Sequence, residues 1–166
     1  MRRSTGIVGD LVKGAIAGAA ATWLMNQTTT WLYEHESQAA RQQENEARGG
    51  QSAYESAVEM AAGAAGVTLS EEQRSRAGTG LHWATGIGAG ALYAVLRKRW
   101  PAAAGGRGLP FGSGFFLAID EVMNPLLGLT PGPRAFPWQA HARGLGGHLV
   151  FGLATELALE GLDRIR

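Results

Sequence analysis

The sequence predicts an all-α polytopic membrane protein: a bundle of four transmembrane helices, with a partly helical polar segment between spans one and two. Three observations carry this expectation. Glycine is frequent, 25 of 166 residues, and it clusters inside apolar runs rather than in linkers. Soluble helices avoid glycine, whereas membrane helices use it for close packing. Charged residues make up only 17 %, against about a quarter in ordinary soluble domains. Four glycine-rich stretches, at about residues 9–33, 78–96, 109–129 and 144–160, approach the ~20 apolar residues that a span needs. The mean hydropathy of −0.07 is lowered by one polar stretch, residues 34–77, which holds eight of the fourteen acids. A soluble bundle of glycine-rich helices is the competing architecture, because the first, third and fourth stretches are short or interrupted.

Length sets a single domain, residues 1–166. The chain has no cysteine, which excludes a disulfide framework, a thiolate metal site and a thiol nucleophile. Fifteen basic residues balance fourteen acidic ones, and no basic stripe suited to nucleic acid is present.

The elements follow in order. In the first span the apolar run Gly14–Met25 contains the pair Gly14 and Gly18 at G-x-x-x-G spacing, suited to close approach by a neighbouring helix. Arg2 and Arg3 ahead of it also fit a signal peptide, but the segment is expected to be retained. In the polar stretch, Ala53, Ala57, Met60, Ala61 and Ala64 recur at helical spacing, and Gly49 and Gly50 break the chain before them. Ser70 and Gln73 form a capping box that starts the next helix. The second span has no formal charge over Gly78–Leu96 and is followed by Arg97, Lys98, Arg99 and Trp100, a basic and aromatic interface anchor. The third contains Asp120, Glu121 and Asn124, and Pro125 is expected to kink or end it. A proline-rich loop over residues 130–143 leads to the fourth span, with His148 and Glu156 inside.

Basic residues orient the bundle with both termini in the cytoplasm. Arg2, Arg3, Lys13, Arg97, Lys98, Arg99, Arg107, Arg164 and Arg166 then lie inside, and Arg41, Arg48, Arg74, Arg76, Arg134 and Arg143 outside.

Helical spacing collects the small and polar residues into stripes: Gly14, Gly18, Thr22 and Asn26; Gly78, His82, Thr85, Gly86, Ala89, Gly90 and Tyr93; Asp120 and Asn124; and His148, Gly152, Thr155 and Glu156. Turned inward, they make a bundle packed on Gly14, Gly18, Gly86, Gly90 and Gly152 with His82, Asp120, Asn124, His148 and Glu156 at its centre. Neighbouring residues on an α-helix point about 100° apart, so Glu121 is expected at a helix seam or a subunit interface. Ionisable groups are expensive in hydrocarbon and mark candidate sites. Several readings of this centre stay open. The polar groups act as glue between helices, or they handle protons. Alternatively His82 and His148 ligate haem or another metal, or the centre lines a lipid or quinone pocket. No metal site is expected on spacing, since no ligand motif such as H-E-x-x-H occurs. No catalytic residue is assigned, for want of a nucleophile motif. His35 and His141 are expected in solvated loops or interfaces, and the five tryptophans in interface or core roles.

Asn124–Trp138, NPLLGLTPGPRAFPW, followed by Gly147–Glu156, GHLVFGLATE, resembles the YagU-like bacterial inner-membrane proteins. The shared pattern is P-L-x-G-L-T-P, then P-W, then G-H-L-V with a glutamate eight residues past that histidine. His82, Tyr93 and Pro101 also fall where that family has a His, a Tyr and a Pro. The resemblance covers about Leu81–Glu156; His82, Pro125, Gly128, Trp138, His148 and Glu156 match. The chain departs at Asp120, where a histidine is expected, and at Arg143 and Gly144, where an acidic residue is expected shortly before G-H-L-V. The resemblance implies a small multi-span inner-membrane protein that contributes to survival in acid. The expectation is therefore a non-enzymatic protein of acid or envelope stress tolerance, in contact with membrane lipid, as a homo-oligomer or a subunit of a larger membrane complex.

Overall fold

The computed structural model describes residues 6–165, apart from the side chains of Pro101 and Ala103. Arg2, Arg3 and Arg166 of the charge comparison lie outside the described residues. The described residues form helices joined by turns and short loops, with no strand. In chain order the helices are α1 (Ile7–Glu34), α2 (Gln38–Arg48), α3 (Ala53–Ala64), α4 (Glu71–Arg99), α5 (Pro101–Ala104), α6 (Leu109–Phe116), a π-helical turn (Leu117–Met123), α7 (Asn124–Leu126), a 3₁₀ turn (Pro133–Ala135) and α8 (Trp138–Arg164). α6, the π turn and α7 run on without a break as one composite helix.

α1 packs antiparallel against α4 and α8, and α6 packs antiparallel against α8. Glycine sets both close approaches. A Cβ on Gly14 would lie 2.5 Å from the carbonyl oxygen of Gly90, and one on Gly18 would lie 2.6 Å from that of Gly86. Between α6 and α8, Gly108 and Gly112 face the backbone of Gly152 and His148 just as tightly. The result inverts the usual distribution of side chains. The buried residues of α1 are Gly14, Ala17, Gly18, Ala21 and Thr22, while Ile7, Val8, Leu11, Val12, Ile16, Trp23, Leu24 and Trp31 are exposed. Leu92 on α4, Leu117 and Val122 on the π turn, and Leu145 and Leu157 on α8 also face outward.

One helix, α1, is long and apolar enough to cross a membrane, and 28% of its most apolar window is buried. α4 opens with Glu71, Glu72, Arg74 and Arg76 and closes on three basic residues; α8 carries His148, Glu156, Glu160 and Asp163. Within α4 the uncharged run Gly78–Leu96 is itself weakly apolar, being rich in glycine and carrying Thr79, His82, Trp83, Thr85 and Tyr93; the charges of α8 and the division of the third helix act in the same direction.

Several local features have a clear cause. Ser70 and Gln73 form a reciprocal capping box at the start of α4, and Ser52 and Glu55 do so for α3. Gly49 and Gly50 both have positive φ, 58° and 80°, and separate α2 from α3. α7 ends one residue after Pro125: the Gly128 N–H bonds to Pro125 O and the Leu129 N–H to Asn124 O, with Gly128 at φ 71°.

Two elements go beyond what the sequence set out. The fourth long helix begins at Trp138, ahead of the apolar stretch at about 144–160, with Pro137 as its N-cap. α2 has no apolar stripe to announce it; its buried residues are Ala40 and Glu44, and ion pairs hold it.

Candidate functional site

The polar groups divide between the two ends of the bundle. At one end Glu156, buried, accepts from Arg97 Nη2 at 2.8 Å and from the Tyr93 hydroxyl at 2.8 Å. Asp163 receives Lys13 at 2.7 Å and Arg97 at 3.2 Å, and Lys98 pairs with Asp10. This network ties α1, α4 and α8 together. Burying such charges costs several kcal/mol each unless they are paired and hydrogen-bonded, and these are. Glu156 therefore belongs to a structural clamp, separate from the histidines with which the sequence grouped it.

The other end holds a cavity of about 520 Å³. α2, α3 and the segment 130–137 cover it, and the ends of α1, α4, the π turn and α8 form its walls. His82, Asp120 and Asn124 all line it, with Asn26 from α1. His82 Nε2 donates to Asn26 Oδ1 at 2.9 Å, joining α4 to α1. His148, buried on α8, is not part of the lining: its Nδ1 donates to Gly144 O at 2.9 Å and lies 3.8 Å from Oδ2 of Asp120, which is. The Phe115 and Phe116 rings flank it at 5.5 and 5.6 Å.

The π turn changes what the sequence implied about Glu121. Regular α-helix geometry separates neighbouring side chains too widely for one site, but the wider π turn directs Asp120 and Glu121 into the same cavity. Such turns are frequent at functional sites. Glu121 accepts from His141 Nδ1 at 2.6 Å, and His141 Nε2 donates to Pro133 O at 3.0 Å. Glu121 thus lines the cavity at the seam between the π turn and α8, and His141 is a wall residue on α8 rather than a loop residue. Both of its ring nitrogens face acceptors, so the contacts select the imidazolium form. Burial opposes that charge, but the bonds to Glu121 and Pro133 outweigh it and raise its pKa above the ordinary 6.5. His141 and His148 are seven residues apart, two turns along one face of α8. That spacing meets the adjacent carboxylates of the π turn.

Above the cavity, the capping box of α3 fixes Tyr54 against the His82 ring, 5.0 Å between centroids. Burial, and then the charge of Asp120, push the Tyr54 hydroxyl up to about 12. α2 is latched by Arg143 of α8, which bonds to Glu36 and Glu44 at 2.5 Å, while Arg48 bonds back to Glu44 at 2.8 Å. Burial works against the charge on Glu44, but Arg143 and Arg48 outweigh it and hold the carboxyl below its usual 4.5.

Sequence reasoning missed Glu121, His141, Tyr54 and the Arg143 latch. His141 seven residues before His148 was the available signal. Among the described residues no set of three His, Asp or Glu side chains is grouped to hold a metal ion. His82 and His148 each spend one ring nitrogen on the protein. The two-histidine haem or metal alternative therefore gains no third ligand here.

Neither a curated protein nor a solved structure matches the chain. A family model described as "Protein of unknown function (DUF1440)" matches residues 41–157, which run from within α2 into α8 and hold the cavity lining apart from Met25, Asn26 and Thr29 of α1; the chain belongs to that family.

Proposed function

We propose that this chain is a non-enzymatic, four-span protein of the bacterial inner membrane whose outward-facing cavity responds to acid. The observation that carries the reading is that two adjacent carboxylates, Asp120 and Glu121, line a solvent-reachable cavity with His141, which bonds to Glu121, while His148, two turns along the same face of α8, lies 3.8 Å from Asp120.

The membrane part rests on the inverted side-chain distribution. Leucine, isoleucine, valine and tryptophan face outward along the long helices, while glycine, alanine and threonine pack the helix seams around a small core of Tyr93, Phe116, Phe151 and Leu159. A contiguous apolar exterior of this kind belongs against lipid or a partner. α1, α4 and α8 have 28, 29 and 27 residues, or about 40 Å each at 1.5 Å per residue, enough for a ~30 Å hydrocarbon core. The cluster at Arg97, Lys98 and Arg99 lies at the end opposite the cavity, which favours an outer position for the cavity. The likeness of Asn124–Trp138 and Gly147–Glu156 to YagU-like proteins supports the acid part.

Acid acts on the site in two steps. As pH falls through the raised His141 value, the imidazolium forms and locks Glu121 to α8. Far lower pH is needed to protonate Glu44, so the α2 cover stays latched meanwhile.

The test is survival of acid challenge in a bacterium that depends on this protein, comparing wild type with Glu121→Gln and His141→Gln at equal membrane abundance. Both variants are expected to lose protection together. Full protection by both sinks the acid-responsive reading. Release of the wild-type protein from membranes by alkaline carbonate sinks the membrane reading.

A further inference from the structure

We propose that the cavity binds an organic cation, a small protonated amine with a flat apolar body, with Asp120 as its counter-ion. The inference deepens the site described above and rests on that reading only for the cavity facing solvent.

Charge accounting at the cavity wall points to a cation. Arg48 and Arg143 line it, but Glu44 and Glu36 use both. His141 and Glu121 neutralise each other. His82 is turned to Asn26. Glu55 is occupied as the cap of its own helix, accepting the Ser52 N–H at 2.7 Å. Asp120 remains. No hydrogen-bond donor reaches it among the described residues: the nearest, His148 Nδ1, is 3.8 Å away and already committed to Gly144 O. A carboxylate on a cavity wall without a donor is an acceptor site awaiting one from a ligand.

The rest of the wall supplies the other half of a cation site. Tyr54, Trp83, Phe116 and Phe136 present rings around the same space. Aromatic faces attract cations, more strongly when desolvated, and their apolar area accommodates a hydrocarbon body. The volume, about 520 Å³, falls in the range of small-molecule pockets. An anionic ligand would find no uncommitted cation here, and a neutral one could donate a hydrogen bond to Asp120 but would leave its charge unbalanced.

The probes are phenethylamine, its neutral isostere 2-phenylethanol, and phenylacetate, titrated calorimetrically into the full chain in lipid nanodiscs at pH 7, with empty discs subtracted. Phenethylamine is expected to bind about tenfold or more tightly than the alcohol, which is about 1.4 kcal/mol, with no binding of phenylacetate. Asp120→Asn, with helicity checked by circular dichroism, is expected to erase the amine's advantage. Equal binding of amine and alcohol, preference for the acid, or no binding of any probe overturns the proposal. The wild-type comparison decides it even if the variant does not fold. A failed amine titration on carbonate-resistant protein whose His141 and Glu121 variants lose acid protection removes this inference alone and leaves the acid-responsive membrane reading standing.

Discussion

Single residues decide how closely the helices approach. At Gly90 a Cβ would meet Gly14 O at 2.5 Å and the Gly18 backbone equally closely. Gly90→Val therefore forces α1 and α4 apart, and overpacking of this kind costs about 1–3 kcal/mol. Gly88, two residues earlier on the same helix, has nothing within 4 Å of its Cβ position. Gly88→Ala is expected to be neutral or to stabilise by up to about 1 kcal/mol, since alanine is the better helix former. Thermal unfolding of the detergent-solubilised variants separates the two. His141 carries the pH dependence at this scale. Its folded pKa is raised, so its pair with Glu121 contributes fully below about 6.5, the ordinary value, and that contribution is lost as pH rises through the raised folded value. The unfolding midpoint is expected to fall as pH rises across that window, and His141→Gln to flatten the fall. An unchanged profile in the variant refutes the pairing.

Whole elements show where the sequence was legible and where it was not. The start of α4 was readable because a capping box is local chemistry: Ser70 and Gln73 satisfy each other's backbone within four residues. The apolar spacing of α3 was readable for the same reason. α2 was not, because its stability is borrowed from across the molecule, through Arg143, ninety-nine residues from Glu44. The π turn was not readable either. It inserts one extra residue's worth of rotation without any residue type to mark it, and that rotation delivers Glu121 to His141. The dependence of α2 on its latch has a measurable consequence. Glu44 is buried and its pKa is lowered, so its contribution is present above about 4.5 and disappears only as pH falls through the lower folded value. Glu44→Gln leaves Arg143 and Arg48 without their shared counter-charge at any pH. Hydrogen exchange in α2 is expected to quicken about tenfold or more at neutral pH, with α4 and α8 unaffected. Uniform acceleration across the bundle would mean that α2 does not open by itself.

At the scale of the molecule, a low charge fraction and abundant glycine announced the helical bundle, and the structure adds why the apolar side chains of α1 are on the outside: the α1–α4 seam has no room for them once backbones meet at Gly14, Gly18, Gly86 and Gly90, and the core beside it is filled by Tyr93, Phe151 and Leu159. Such packing has little purpose in water, where burying large side chains stabilises most. In lipid that driving force between helices is absent, and close contact of small residues takes its place. Only α1 meets the apolar measure of a span, so the two topologies differ in a testable way. Because the chain has no cysteine, single cysteines report position cleanly. Glu46, Pro131, Arg99 and Arg164 are all exposed and all follow α1. If α1 alone crosses, cysteines at the four positions react with a membrane-impermeant maleimide from the same side. With four spans, Glu46→Cys and Pro131→Cys, near the cavity, react from one side, and Arg99→Cys and Arg164→Cys, beyond the Arg97–Glu156 clamp, from the other. Oriented vesicles of both senses make the comparison internal, and a same-side pattern for Arg99 and Pro131 would end the four-span assignment.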